Sequence, residues 1–249
     1  MDSQTPPLLT VLLPCLNEAR TVGDCLAEAS AALINLNIPW EILVADNGST
    51  DGSGAIAAGA GARVVTVPEP GYGCAIRAGV TAAEGEFIVI ADCDGSYVLS
   101  DIYALVEHLR ARSGMVIGNR LRGNIYPGAM PFLHRYLGTP VITAVGRLLI
   151  GIPVGDFNCG IRAFRRDEFL TLNLKSSGME LASEMLVQAH LAGIPLREVP
   201  VSLRRDGRDR PPHLRPWRDG IRHLYQIAKH TPHATIRRFR RWCASPHAT

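Results

Sequence analysis

Short apolar runs alternate with helical patterns along the first half of the chain. Residues 8–13, 41–45, 63–67 and 87–91 are runs of five or six, rich in aliphatic and β-branched side chains, each followed by polar or glycine-bearing punctuation. Such runs predict strands. Between the first two, Val22, Leu26, Ala29 and Leu33 recur at helical spacing; 74–83 and 101–112 also read as helices, and 115–118 as a fifth strand. Strand and helix in alternation predict an α/β fold, a Rossmann-type and mostly parallel sheet flanked by helices.

Beyond Arg120 the pattern changes. A Gly/Pro-bearing segment runs to Pro131, followed by an apolar helix over 132–150, a loop through Cys159, a short strand over 161–164, a helix over 180–192 and a strand over 196–203. In open sheets of this kind ligands bind at the carboxyl ends of the strands, which is where the polar punctuation falls. The domain expectation is a disordered start (1–7), one domain over 8–229 divided near residue 120, and a basic C-terminal extension over 230–249.

Charge sharpens this picture. The chain of 249 residues is 47% apolar and 20% charged, enough for a core, and its formal charge is only +3. That total hides a split: 197–241 holds 13 basic and 4 acidic residues, a local +9, so the remainder carries 13 against 19, or −6. Met1 to Pro7 shows no positive start followed by an apolar run, so the expected location is the cytoplasm. No stretch reaches the roughly 18 apolar residues of a spanning helix. The six cysteines form no CxxC pair and no Cys/His cluster, and read as reduced and mostly buried.

The strongest chemical signal is Asp92-Cys93-Asp94, set directly after a hydrophobic strand. Two carboxylates one residue apart can both reach a hard divalent cation whose shell is completed by water and phosphate oxygens; an Asp/Gly turn is the plainer reading. Asp46-Asn47-Gly48-Ser49-Thr50-Asp51 closes the second strand. Asp46 there suits a nucleobase N–H, while Ser49 or Asp51 suits a helix cap. Pro14-x-x-Asn17-Glu18 has the same duality, Asn17 as cap and Glu18 as ligand-facing acid. The Gly71-Tyr72-Gly73 loop lacks the spacing of a dinucleotide fingerprint or P-loop and is a weak sign of phosphate approach.

Together, Pro14-Cys15-Leu16-Asn17-Glu18, Val44 to Asp51 and Asp92-Cys93-Asp94-Gly95 resemble, in order and spacing, the nucleotide-sugar signatures of inverting family 2 glycosyltransferases of the GT-A type. The segments Ile117-Gly118-Asn119-Arg120, Gly128 to Pro131 with His134-Arg135, Asn158 to Arg166, Ser177 to Glu180 with Ala182 to Met185, and Arg208 to Pro216 resemble the dolichyl- and polyprenyl-phosphate sugar synthase branch. The resemblance covers roughly residues 8–229. It implies a nucleotide-sugar half (8–119) and an acceptor half (120–229).

The resemblance also implies roles. Asp46 matches a base-contacting acid and Glu18 its companion, with Pro14, Asn17, Asn47, Ser49, Gly71, Tyr72, Cys93 and Arg120 around the nucleotide-sugar. Asp92 and Asp94 match the ligands of Mg2+ or Mn2+, with Ser96 as a further polar ligand. Arg120, Arg135 and Arg162 match basic residues near the acceptor phosphate; Arg208, Arg210 and Arg215 match a loop closing over phosphates. The implied reaction moves a sugar from a UDP- or GDP-sugar to a polyprenyl phosphate, which is already anionic and needs no strong base. A soluble hydroxyl acceptor would need one, and Asp156, Glu180 and Glu184 are the candidates.

Two departures matter. The branch often carries C-terminal spanning helices and none is expected from this sequence, so the helix over 132–150 is expected either to lie at a membrane interface or to pack in the core. Asp209 stands where a small polar residue is expected and puts a negative charge near an anionic substrate. A nucleotidyltransferase would want a Gly-rich basic signature near the first strand, which 14–20 lacks. The aromatics among the C-terminal arginines suit base stacking, yet the acidic site opposes a nucleic-acid partner. Oligomeric state is open.

Overall fold

The computed structural model describes residues 6–111, 114–209 and 216–243, with backbone alone for 216 and from 233 onward. Seven strands form one sheet: β1 (Leu9–Cys15), β2 (Trp40–Asp46), β3 (Arg63–Thr66), β4 (Phe87–Ile90), β5 (Met115–Asn119), β6 (Arg162–Arg165) and β7 (Leu196–Pro200). The helices are α1 (Val22–Ile34), α2 (Ser53–Gly59), α3 (Tyr72–Ala82), α4 (Ile102–Ala111), α5 (Thr139–Leu149), α6 (Arg166–Thr171), α7 (Leu181–Ala192) and α8 (Pro216–Cys243).

Strand order is β3-β2-β1-β4-β6-β5-β7. β1 pairs in parallel with β2 and β4, and β5 with β7, while β6 runs antiparallel between β4 and β5. The sheet is therefore mostly parallel, as the alternation predicted. Every residue of β1 and β4 is buried, because helices cover both faces of the central strands. α1 turns Val22, Cys25, Leu26, Ala29 and Leu33 inward, the stripe read from spacing.

β1 is flanked by β2 on one side and β4 on the other, so the chain's winding reverses there and a crevice opens beyond the strand ends. Leu9 stands beside both Trp40 and Phe87. This register brings the loops after β1, β2 and β4 to one crest of the sheet.

The second half carries the expected apolar helix with one irregularity. Over His134–Gly138 it widens to a π turn, and the Thr139 N–H reaches back to the His134 carbonyl. Pro140, which follows, has no N–H to continue a normal ladder. α8 packs on α5 and α7 and runs without interruption through residue 230, where the sequence reading placed the start of a separate extension. No helix among the described residues is long and apolar enough to cross a membrane. The expected disordered start lies mostly outside the described residues, as do Arg210 and Arg215.

Candidate functional site

The crest is held by loop-to-loop hydrogen bonds. Asn17 takes a left-handed backbone, φ 56°, which Asn tolerates better than most residues. Its N–H donates to Ser49 Oγ at 2.8 Å, and its Oδ1 accepts the Thr50 N–H at 2.7 Å. The N–H groups of Glu18 and Ala19 donate to Ser53 Oγ and Asp51 Oδ2, and the Ser49 N–H to Asp46 Oδ1. Asn17 and Ser49 are thus braces between the β1 and β2 loops and not helix caps: Thr21 precedes α1 and Gly52 precedes α2, neither with a cap bond from its own side chain, while Asp51 Oδ1 accepts the N–H of Ser53, the first residue of α2, at 3.0 Å.

Asn47 is also a brace. Its Nδ2 donates to the carbonyls of Val67 and Glu69, and its Oδ1 accepts the Gly71 N–H, so its amide is consumed inside the protein. Gly71 and Gly73 serve packing: a Cβ on either would stand 2.2 to 2.3 Å from a carbonyl oxygen of Ser177 or Ser176. Their lack of side chains admits the 176–178 segment, which accounts for both glycines without a phosphate. Pro14 lies buried at the end of β1, and Cys93 points inward with its thiol donating to the Pro14 carbonyl at 3.1 Å.

Asp92 and Asp94 emerge from β4 on this crest. Asp92 Oδ1 accepts the Tyr72 phenol at 3.0 Å, and burial, reinforced by the neighbouring Asp94, lifts the Asp92 carboxyl to about 6. Burial, with Asp92 opposite, also pushes the Tyr72 phenol up. Asp94 Oδ1 accepts the Ser96 N–H at 2.9 Å, so the backbone of Ser96 orients it. The Thr21 hydroxyl donates to the Cys93 carbonyl between the two acids at 2.8 Å.

Two glycines missed by sequence reasoning shape the acids. A Cβ at Gly160 would lie 2.6 Å from Asp92 Oδ2, and one at Gly54 2.8 Å from Asp46 Oδ2. Tyr97, buried, accepts the Gly160 N–H on its phenol oxygen at 2.7 Å and fixes that close approach. Only the spatial neighbour shows what each glycine admits, so no linear signal marks them.

Arg208 reaches into the acid group. Its guanidinium lies 2.8 Å from Asp94, 3.2 Å from Asp206 and 3.5 Å from Glu18. Asp209, the unexpected acid of this loop, turns away to an exposed pair with Arg20 at 2.7 Å. Among the described residues no three His, Cys, Asp or Glu side chains are grouped to hold a metal. Asp92 and Asp94 nevertheless suit a hard cation whose remaining ligands are water and diphosphate oxygens, the usual arrangement for Mg2+ with nucleotides.

The three candidate bases differ sharply. Asp156 is fully buried and grips Arg120 with both oxygens at 2.8 Å, also accepting backbone N–H groups from Arg120 and Asn158. Glu184 accepts the N–H groups of Lys175 and Ser176 and is 4% exposed. Both are structural acceptors, so neither is free to take a proton from an acceptor. Glu180 accepts the Gly178 N–H on Oε1, while its buried Oε2 has no hydrogen bond among the described residues and lies 3.9 Å from Arg222.

The arginines separate in the same way. Arg162 is 2% exposed and donates to the carbonyls of Cys159, Ala182 and Phe157, which makes it a core brace and not a phosphate ligand. Arg135 is exposed, its guanidinium 5.4 Å from the Tyr136 ring centroid.

The reversing, mostly parallel sheet is shared with solved sugar-transferase structures. Glucosyl-3-phosphoglycerate synthase from Mycobacterium tuberculosis, in complex with Mn2+, UDP and glucosyl-3-phosphoglycerate, matches with a TM-score of 0.61 over 97% of this chain and 82% of its own, at 21% identity. Mannosyl-3-phosphoglycerate synthase from Rubrobacter xylanophilus matches at 0.65 over 98% and 77%, with 19% identity. The fold is of the GT-A type. Residues 10–171 match the profile of Glycosyl transferase family 2, and the chain belongs to that family.

Among relatives, the low-salt glycan biosynthesis hexosyltransferase Agl6 of Haloferax volcanii is 34% identical over 232 residues, 93% of this chain. The chain spans 55%, about half, of that relative's length. The dolichyl-phosphate hexose transferase of the same organism is 29% identical over 198 residues, 79% of this chain and 82% of its own.

Proposed function

We propose that this chain transfers a sugar, with inversion, from a UDP- or GDP-sugar to a polyprenyl phosphate. The observation that carries the reading is the pair Asp92 and Asp94 at the reversal point of the sheet, with Glu18 and Arg208 beside them. Asp46 and Glu18 contact the nucleoside, and Asp92 and Asp94 hold Mg2+ or Mn2+. The cation, when bound, supplies charge neutralisation on the leaving diphosphate. Tyr72 orients Asp92 from behind, and Arg208 stabilises the charge developing on the nucleotide. Arg120, fixed by Asp156, and Arg135 face the acceptor phosphate.

Two observations favour a lipid phosphate over a soluble hydroxyl. Asp156 and Glu184 are fully engaged, and an anionic acceptor needs no base. Near the acceptor half, Phe132, Tyr136, Leu137 and Val141 on one helix and Trp217, Ile221 and Tyr225 on α8 are exposed, and α8 packs against α5. Residues 132–150 hold no acid, and 217–232 hold only Asp219, which is buried. An apolar face with basic flanks suits peripheral contact with an anionic bilayer. The relative named dolichyl-phosphate hexose transferase supports the same acceptor class. A soluble acceptor remains the second reading, with Glu180 as the base.

The test supplies labelled UDP- and GDP-sugars with Mn2+ or Mg2+ to the full chain, with undecaprenyl phosphate in detergent or with a panel of soluble hydroxyl compounds. Label moving into the organic phase as a polyprenyl phosphate sugar is expected. Label moving only to a soluble compound replaces the acceptor; no transfer from any donor overturns the reading.

A further inference from the structure

Arg208 stands where a cation belongs. Its side chain is 12% exposed, three carboxylates surround its guanidinium within 3.5 Å, and its Nε is buried with no acceptor among the described residues. The segment carrying it lies as a strap along the turn after β4. The Arg204 N–H donates to the Ser96 carbonyl at 2.8 Å, Arg204 Nε to the Gly95 carbonyl at 2.6 Å, and the Gly207 N–H to the Asp94 carbonyl at 2.9 Å. At its outer edge the strap is closed by Arg20 and Asp209, whose side chains are 66% and 64% exposed. A pair that exposed holds weakly.

Arg208 Nη2 and a divalent ion would compete for the same atom. Nη2 lies 2.8 Å from Asp94 Oδ2. A Mg2+ ligated by that oxygen at about 2.1 Å would sit against the guanidinium, and like charges that close repel strongly away from bulk water. A metal arriving alone must therefore expel a buried cation that gains no new partner. A diphosphate arriving with the metal offers the displaced guanidinium a forked anionic partner.

We infer that Arg208 is a built-in counter-cation that closes the metal site of the donor-free chain, so that divalent metal and nucleotide diphosphate enter together. This rests on the reading of Asp92 and Asp94 as the metal site. Coupling of this kind is reciprocal: the nucleotide tightens the metal by the factor by which the metal tightens the nucleotide. Removing the guanidinium has opposite effects on two quantities, strengthening uptake of metal alone while weakening transfer. A residue that merely bound phosphate would lower transfer and leave the affinity for metal alone unchanged.

The experiment is calorimetric titration of Mn2+ into the full chain, alone and after saturation with UDP or GDP, for wild type, Arg208→Gln and Arg208→Lys. Arg208→Gln is expected to bind Mn2+ alone about tenfold tighter than wild type, with a smaller gain from nucleotide, in the usual range of coupling effects. Arg208→Lys, a point charge without the fork, is expected between the two, and it carries the test if thermal melting finds Arg208→Gln unfolded. If wild type binds Mn2+ with nucleotide but the folded variants bind Mn2+ alone no more tightly than wild type, the counter-cation is overturned and the metal reading stands. If wild type takes up no Mn2+ even with nucleotide, both fall.

Discussion

Arg120 holds Asp156 with two parallel bonds, Nε and Nη2 each 2.8 Å from a different carboxylate oxygen, at a position where Asp156 has no exposed surface. Removing one member of such a pair strands the other charge. Asp156→Ala is expected to cost about 3–5 kcal/mol of stability, the usual penalty for breaking a buried pair. Urea unfolding of the variant checks this. A general base would behave otherwise, with Asp156→Ala folding as stably as wild type and losing only one limb of the pH–rate profile.

Gly54 leaves room for the Asp46 carboxylate at the start of α2. A methyl there would stand 2.8 Å from Asp46 Oδ2, while alanine suits a helix better than glycine by up to about 1 kcal/mol. Gly54→Ala is therefore expected to keep or slightly raise the melting temperature. The KM for the nucleotide-sugar is expected to rise about tenfold, equivalent to about 1.4 kcal/mol of lost contact. Steady-state kinetics beside a thermal melt separate the two effects, and an unchanged KM would remove Asp46 from the base site.

His223 links α8 to α7 through Ser183, with Nδ1 and Oγ 2.8 Å apart and both residues buried. Burial, together with the Arg162 charge, lowers the imidazole from its ordinary 6.5 to about 4, against the opposing pull of Asp219. Between these values the unfolded chain binds a proton that the folded chain refuses. The contribution of His223 is therefore complete above pH 6.5 and is lost as pH drops toward 4, by at most about 1.4 kcal/mol per unit, while the raised Asp92 carboxyl acts in the opposite sense below about pH 6. His223→Gln is expected to flatten that slope in urea titrations at pH 4, 5 and 6; an unchanged slope would assign the acid sensitivity elsewhere.

The sheet was legible because its central strands are buried on both faces and so read as unbroken apolar runs; β1, β2 and β4 end within two residues of expectation. The antiparallel direction of β6 was not, since it depends on pairing with strands more than forty residues away in sequence. α6, six residues long, is too short for an apolar repeat to stand out. At the site, the acids after β4 were visible from type and position. What sequence confused was support with contact. Asn47, Arg162 and Glu184 are the residue types that bind ligands, yet each spends its polar atoms on backbone groups of the protein. Only the packed neighbours distinguish the two uses.

The central claim is that Asp92 and Asp94 carry the donor diphosphate through a divalent cation. Its most direct test is the Mn2+-dependent rate of sugar transfer to undecaprenyl phosphate by wild type, Asp92→Asn and Asp94→Asn, each shown to be folded by thermal melting. Asn at position 92 can still accept the Tyr72 phenol, so the fold has little reason to change. Either variant is expected to lose about a thousandfold in rate, on the scale of removing a principal charge-stabilising group. Transfer within about twofold of wild type, less than about 0.5 kcal/mol in the barrier, would contradict it.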